Sequence, residues 1–330
     1  MIDQIVFYHP HKHTCGKLHA IMDQQRARYF LPFAILVAIL SVSTASIFIR
    51  FAQNDGVPSF VIAALRLTFA TVILAPLALS KHREELKRLT LNEVLLCGFS
   101  GIFLALHFAT WISSLEYTSV ASSVVFVSTG PLWVALLAPL FLKEHLARTA
   151  IFGLGLALAG GTIIGLSDAC AWNHGLSCPA LQDVLHGRAM FGNLLAFLGA
   201  LTVTGYLIIG RKLRVKVSLI PYIFMVYGFA AVTLVIIMFT AGDSPFGYAP
   251  KTYGWIFLLA ALPQLIGHST YNWALKYMPA ALVAVTTLGE PIGSAILAFF
   301  ILSETPTFAT MIGGVFILSG IYLASRPSNP

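Results

Sequence analysis

Charged residues are scarce in this chain of 330 residues, where Asp, Glu, Lys and Arg together make up only 10%. A soluble domain carries about a quarter charged residues because its surface faces water, so the composition excludes an ordinary soluble protein. Hydrophobic residues reach 58% and fall in blocks of about 20, the length that crosses ~30 Å of hydrocarbon as a helix. The sequence therefore predicts an all-α integral membrane protein.

Signatures of soluble chemistry are also missing. The chain has no phosphate-binding loop, nucleotide motif, metal triad or Ser/His/Asp arrangement, and its four cysteines lack CxxC or Cys/His zinc spacing. We expect no cofactor, no metal and no ATP-driven transport by this chain alone. The net charge of +7 does not indicate a nucleic-acid partner, because Lys and Arg cluster in alternate short loops between apolar blocks.

Ten membrane-spanning segments are predicted from the apolar blocks and the polar residues that separate them. They cover residues 30–50, 59–80, 93–115, 118–141, 149–167, 190–210, 219–241, 253–275, 280–302 and 308–325. With the N-terminus inside, sixteen Lys and Arg residues fall on one side and three on the other, while Arg66 lies within segment two. This bias predicts that both termini are cytoplasmic in a multi-pass plasma-membrane (cell inner membrane) protein.

The polar regions carry few predictions. Residues 1–28 are expected to form a cytoplasmic tail without a cleavable signal peptide, and Met22 is an alternative start. The loop 168–189 is predicted to lie outside, where Cys170 and Cys178 can form a disulfide or remain free thiols.

The two halves of the chain repeat with an offset of 160 residues. Apolar helices share Leu and Ala by chance, so the informative identities are Tyr117/Tyr277, Pro131/Pro291, Glu144/Glu304, Gly153/Gly313 and Gly160/Gly320. Each half holds five segments, an odd number, so the second half enters the membrane from the opposite side. Two inverted five-helix repeats are typical of secondary transporters, whose binding site lies between the halves.

The residues that carry this repeat resemble a known family. Gly130-Pro131 with Leu142-Lys143-Glu144, and Glu290-Pro291 with Leu302-Ser303-Glu304, are similar to the two EamA-type repeats of the drug/metabolite transporter superfamily. The resemblance implies a ten-helix permease with a central cavity, with repeats at 29–167 and 190–326 and helices five and ten at the periphery. It implies transport but no particular substrate: members carry amino acids, nucleotide sugars, sugar phosphates or drugs.

Glu290 is the main candidate for a functional residue, because a carboxylate deep in a membrane segment is costly unless it is paired, hydrated or protonated. The first repeat has Gly130 at the equivalent position, so this charge belongs to one half only. Arg66 is predicted at a similar depth and could pair with Glu290. The alternatives are a protonated Glu290 bonded to a neighbouring helix, and an Arg66 that reaches the interface or clamps two helices.

Two polar stripes accompany these charges. Gln264, His268 and Tyr271 follow each other at helical spacing in segment eight, and His107 and Trp111 do so in segment three. Trp111 and Tyr271 are equivalent in the repeat, which suggests a shared cavity wall, although packing would produce the same pattern. Thr286 lies one turn before Glu290 and could bind substrate or the backbone behind it.

Other residues are expected to serve the scaffold. Pro131 and Pro291 should kink their helices, either statically or as part of a rocking motion. Glu144 and Glu304 are predicted to be caps or loop ion pairs. Gly153 and Gly313 are expected to allow close helix contacts, within a monomer or in a homodimer.

Together these features predict a secondary transporter of a small polar metabolite, an exporter of amino acids or related compounds that works by alternating access. Protons could drive it through Glu290, His107 or His268, and exchange is the alternative. The other possibilities are a carrier of another solute class and a membrane-embedded enzyme, although no signature of an enzyme is present.

Overall fold

The computed structural model describes residues 29–118, 123, 126–144, 147–169, 171–172, 176–177, 188–302 and 308–324. The N-terminal tail with Met22, the loop cysteines Cys170 and Cys178, and Glu304 therefore lie outside the described residues.

The described chain is almost entirely helical. In the first half the helices are α1 (Tyr29–Asn54, with a turn at Thr44), α2 (Ser59–Lys81), α3 (Arg83–Arg88), α4 (Leu91–Tyr117), α5 (Gly130–Phe141) and α6 (Arg148–Ala169). In the second half they are α7 (Arg188–Arg214), α8 (Leu219–Thr240), α9 (Pro250–Leu259), a π-helix (Ala260–His268), α10 (Ser269–Ala274), α11 (Ala280–Thr287), α12 (Glu290–Leu302) and α13 (Phe308–Ala324). Two short strands, β1 (Ala171–Trp172) and β2 (Leu176–Ser177), pair antiparallel.

Every predicted membrane segment contains helix, which confirms the all-α prediction. Helices α1, α2, α4, α7 and α8 are by themselves long and apolar enough to cross a membrane. Segments eight and nine are divided, the former into α9, the π-helix and α10, the latter into α11 and α12.

Local sequence signals explain several helix ends. Thr90 and Glu93 form a capping box at the start of α4, in which each side chain accepts the other residue's backbone N–H. At the ends of α1 and α8, Gly56 and Gly242 adopt positive φ angles of 83° and 82°. This left-handed conformation lets the next amide reach back to a free carbonyl of the last turn, and glycine adopts it without strain.

Helices equivalent in the repeat pack in a symmetric pattern. Helix α2 packs on α8 and α6 on α13, so two pairs of equivalent helices meet each other across the molecule. Segments four and nine also meet, through the contact of α5 with α11. The contact of α4 with α7 has its counterpart in the contact of α9 with α1. This arrangement is that of two inverted repeats, with a large apolar core between them.

Helices α6 and α13 cross at glycines that the repeat relates to each other. A Cβ atom added to Gly153 would lie 2.5 Å from the carbonyl oxygen of Gly320, and one added to Gly160 would lie 2.5 Å from that of Gly313. The offset of 160 residues converts one contact into the other. This helix pair has a small core of its own, which includes Ala157 and Ile317 and lies beside the main one.

Candidate functional site

Segments four and nine are interrupted at equivalent positions. Turn residues 128–129 precede α5, and turn residues 288–289 precede α12. Pro131 and Pro291 are each the second residue of the helix that follows, where a missing N–H costs nothing. The structure therefore places the irregular backbone just before each proline.

A hydroxyl group from the other repeat binds each interruption. Thr204 Oγ1 of α7 donates to the carbonyl oxygen of Gly130 at 3.3 Å, and Ser43 Oγ of α1 donates to that of Glu290 at 3.1 Å. Each hydroxyl also contacts a carbonyl of its own helix. These contacts partly satisfy the polar backbone that an interrupted helix leaves inside an apolar bundle.

Arg66 of α2 is completely buried in the bundle. Its Nε donates to Oε1 of Gln264 at 2.9 Å, and its Cζ lies 4.0 Å from the centroid of the Phe108 ring. Gln264 belongs to the π-helix, which also contains Pro263. Such wide turns are frequent at functional sites because they redirect a side chain within a helix.

Aromatic and imidazole rings connect segment three with segment eight. The His107 and Trp111 rings are stacked at 6.0 Å between centroids, and Phe108 lies 5.0 Å from His107 and 5.3 Å from His268. His268 in turn lies 6.3 Å from Tyr271. The two predicted stripes thus meet, and Phe108, which the sequence did not single out, joins them.

His107 has a defined hydrogen bond. Its Nδ1 lies 2.9 Å from the carbonyl oxygen of Gly199 in α7. A carbonyl only accepts, so Nδ1 carries the proton and Nε2 of the neutral ring remains an acceptor.

Several buried polar atoms at this site lack a hydrogen-bond partner among the described residues. Buried polar groups in native proteins are nearly always satisfied, so each such atom calls for an explanation such as a ligand or water. Most belong to residues predicted from the sequence as site residues. The atoms are Arg66 Nη1 and Nη2, Trp111 Nε1, Gln264 Nε2, Tyr271 Oη and Asn272 Oδ1.

Glu290 is the first residue of α12 and is half-buried. It interacts electrostatically with Arg66 and with Tyr271. Among the described residues the ion pairs do not include Arg66 with Glu290, so Gln264 rather than Glu290 holds the guanidinium. Thr286 Oγ1 donates to the carbonyl oxygen of Val283 at 2.6 Å, the backbone alternative for this residue.

The sequence did not select Asn272, which lies next to the cluster. Its Nδ2 donates to the hydroxyl of Tyr206, to that of Tyr227 at 3.4 Å and to the carbonyl oxygen of His268 at 2.9 Å. Asn272 lies four residues after His268 and eight after Gln264, so an extension of the polar stripe would have found it.

Glu144 lies at the end of the bundle and ties three segments together. Its Oε1 lies 2.6 Å from Nε of Arg211 in α7, and its Oε2 accepts the backbone N–H of Ala280 at the start of α11, at 3.2 Å. Arg211 Nη1 also donates to the carbonyl oxygen of Leu275 at 2.6 Å. Glu144 thus caps the start of α11 and also forms an ion pair with Arg211.

The chain belongs to the EamA-like transporter family, whose model matches residues 30–166 and 190–326. It is 24% identical to the uncharacterized transporter YetK of Bacillus subtilis, over 88% of this chain and 86% of that protein. An uncharacterized transporter of Archaeoglobus fulgidus is 25% identical over 70% of this chain and 75% of its own length.

A relative with a more specific name is the probable terminal-alkyne amino-acid exporter of Streptantibioticus cattleyicolor. It is 26% identical over 89% of this chain and 93% of its own length. Among solved structures, a crystal structure matches with a TM-score of 0.70 at 19% identity, covering 89% of this chain and 97% of that one. This last likeness supports the fold alone.

The family and the apolar helices make this protein a multi-pass membrane transporter of the drug/metabolite transporter superfamily. A small molecule is therefore its substrate.

Proposed function

We propose that the protein exports an amino acid or a related zwitterion from the cytoplasm by alternating access of its two repeats. The observation that carries the proposal is a cluster of buried polar atoms without a partner among the described residues, two of whose members, Arg66 and Tyr271, interact electrostatically with Glu290. Interrupted helices at the interface of inverted repeats form the substrate site in many secondary transporters.

The charges of the cluster favour a zwitterion. Arg66 and Glu290 can supply one charge of each sign, and they interact electrostatically without forming an ion pair. A ligand that carries both an anionic and a cationic group would compensate both, which reduces the cost of keeping them in an apolar bundle. The name of the exporter from Streptantibioticus cattleyicolor adds support for amino acids, at 26% identity.

Glu290 is the proposed site of proton coupling. The repeat does not duplicate this membrane carboxylate, because Gly130 occupies the equivalent position, and Glu290 interacts electrostatically with both Arg66 and Tyr271. A proton that binds Glu290 when the substrate leaves would return one charge per cycle. His107 and His268 lie within the same ring cluster and are the other candidates for this role.

The proposed orientation follows from the loop charges. Both termini are cytoplasmic in a plasma membrane, and the end of the bundle that holds Glu144 and Arg211 faces the cytoplasm. The protein acts in the lipid bilayer as a monomer or homodimer, and transport rather than catalysis is its activity.

Counterflow of labelled amino acids into proteoliposomes tests the proposal. We expect uptake that requires amino acid inside the vesicles and that responds to an imposed pH gradient. Glu290→Gln should weaken counterflow, because the amide offers no charge to the ammonium group, and the remaining uptake should lose its response to pH, because the amide cannot bind or release the proton. The control is Glu116→Gln, which changes a carboxylate that binds Ser59 at the start of α2.

Two results would contradict the proposal. One is an unchanged pH response in Glu290→Gln, which would remove this residue from coupling. The other is chemical conversion of an amino acid by the detergent-solubilised protein, which would indicate an enzyme.

A further inference from the structure

We infer that Arg66 forms a carboxylate-binding subsite whose donors are held in place before the ligand arrives. The inference rests on the proposed function and gives the bound amino acid an orientation. Its carboxylate lies against Arg66, and its ammonium group points towards Glu290. Arg66 is fully buried, and its two terminal nitrogens have no partner among the described residues.

The guanidinium is fixed through its other atoms. Gln264 Oε1 accepts from Nε, and Phe108 lies under the guanidinium carbon at 4.0 Å. Both contacts leave Nη1 and Nη2 free, which is the edge that binds a carboxylate with two parallel hydrogen bonds. Because the side chain is already ordered, binding costs less conformational entropy than it would with a mobile arginine.

The buried atoms of this cluster that lack a partner among the described residues are mostly donors. Nε1 of Trp111 and Nε2 of Gln264 can only donate, and the Tyr271 hydroxyl can donate as well. A set of donors in an apolar bundle suits a ligand rich in acceptors. An amine without an acid group would leave these N–H groups unsatisfied, which penalises it strongly.

The charge balance favours a carboxylate over a phosphate ester. Arg66 supplies one positive charge, and the carboxyl group of Glu290, which interacts electrostatically with it, can supply one negative charge. A carboxylate with an ammonium group keeps the site neutral. A phosphate monoester carries about −1.5 to −2 charges at pH 7 and would add an uncompensated negative charge in a medium of low dielectric constant.

Ligand binding in detergent tests the subsite without requiring transport. The probes are alanine, leucine, phenylalanine and threonine, the carboxamide of each, and glucose 6-phosphate, measured by the shift in thermal unfolding. We expect at least one amino acid to bind about 10- to 100-fold more tightly than its carboxamide, because the amide loses the charge-assisted pair. Binding of none of the four, equal binding of acid and amide, or stronger binding of glucose 6-phosphate would overturn the inference.

Gln264→Glu provides a second, sharper test. It places a carboxylate against Arg66 with the same shape as the native amide, so the protein should unfold at a higher temperature and lose the amino-acid shift. Arg66→Lys should keep the charge but weaken amino-acid binding by about 10-fold or more, since lysine lacks the two-pronged geometry. An undiminished amino-acid shift in both variants would mean that Arg66 serves packing alone.

Arg214→Gln is the matched control. Arg214 is also buried, but its guanidinium donates to the carbonyl oxygens of Asn272 and Val217. Its substitution should lower stability and leave the preference for acid over amide unchanged. Amino-acid binding without counterflow in proteoliposomes would contradict the proposed function while supporting the subsite, so the two failures are distinguishable.

Discussion

The crossing of α6 and α13 provides a quantitative prediction for the fold. Gly153→Ala adds one methyl group where the backbone of the other helix already lies, 2.5 Å from the Gly320 carbonyl oxygen and 2.8 Å from the Ala324 nitrogen. The neighbours are backbone atoms, so a rotamer change cannot make room. Gly155→Ala on the same helix is the control, because outside its own helix backbone no atom of the described residues lies within 4 Å of its added Cβ.

The expected magnitude follows from the separation that the methyl group forces. Carbon and oxygen atoms approach comfortably to ~3.3 Å, so the helices must move apart by about 0.8 Å. A gap of that size removes a quarter to a half of the dispersion attraction across the contact, and overpacking costs ~1–3 kcal/mol. Both variants share the gain of ~1 kcal/mol from replacing a helical glycine by alanine. The free energy of unfolding of Gly153→Ala should therefore be ~1–3 kcal/mol lower than that of Gly155→Ala.

Reversible unfolding in mixed detergent micelles, followed by circular dichroism, measures this difference. The repeat adds an internal check: Gly160→Ala makes the equivalent contact with the carbonyl oxygen of Gly313 and should lose a similar free energy. Equal stabilities of Gly153→Ala and Gly155→Ala would refute the packing argument. Very different losses at Gly153 and Gly160 would refute the symmetry of the crossing.

Three further predictions concern single side chains. Glu144→Gln should lower the free energy of unfolding by ~1–2 kcal/mol, because a half-buried, charge-assisted hydrogen bond to Arg211 is lost. Glu84→Gln, in an exposed ion pair, should change it by less than ~1 kcal/mol. Equal effects of the two substitutions in the same unfolding assay would contradict this prediction. Ser43→Ala removes a hydroxyl donor at the interruption of segment nine. It should lower the free energy of unfolding by ~1 kcal/mol and alter the transport rate in proteoliposomes. If neither quantity changes, the hydroxyl has no role at the interruption. Phe108→Leu keeps an apolar side chain but removes the ring beneath Arg66. The free energy of unfolding should fall by ~1–2 kcal/mol and amino-acid binding, measured by thermal shift, should weaken. A substitution that changes neither would show that the cation–π contact contributes nothing.

Much of the candidate site was predictable because its residues are chemically unusual for a membrane helix. Arg66, Gln264 and Trp111 stand out in apolar segments, and each has a buried atom without a partner among the described residues. Phe108 could not be recognised in this way, because a phenylalanine in such a segment is ordinary. Its importance depends on the guanidinium above it and on His268 beside it.

The partner of Arg66 was beyond sequence reasoning for a different reason. The rise per residue predicts similar depths for Arg66 and Glu290, which allows an ion pair between them. The structure places Gln264 against Nε instead, since the π-helix changes the direction in which that side chain points. A π-helix depends on contacts with neighbouring helices and has no reliable local signal.

The sequence alone determined the membrane class, the ten segments, the repeat of 160 residues and the unduplicated carboxylate of Glu290 in segment nine, because composition and spacing are properties of the chain itself. The inverted repeat even predicts that Gly153 and Gly313 are equivalent. Only the tertiary structure decided that α6 meets α13, that the rings of segments three and eight form one cluster, and that two guanidinium nitrogens of Arg66 have no partner among the described residues. These features depend on how each helix is rotated about its axis and where it crosses its neighbours, and packing between distant segments sets both.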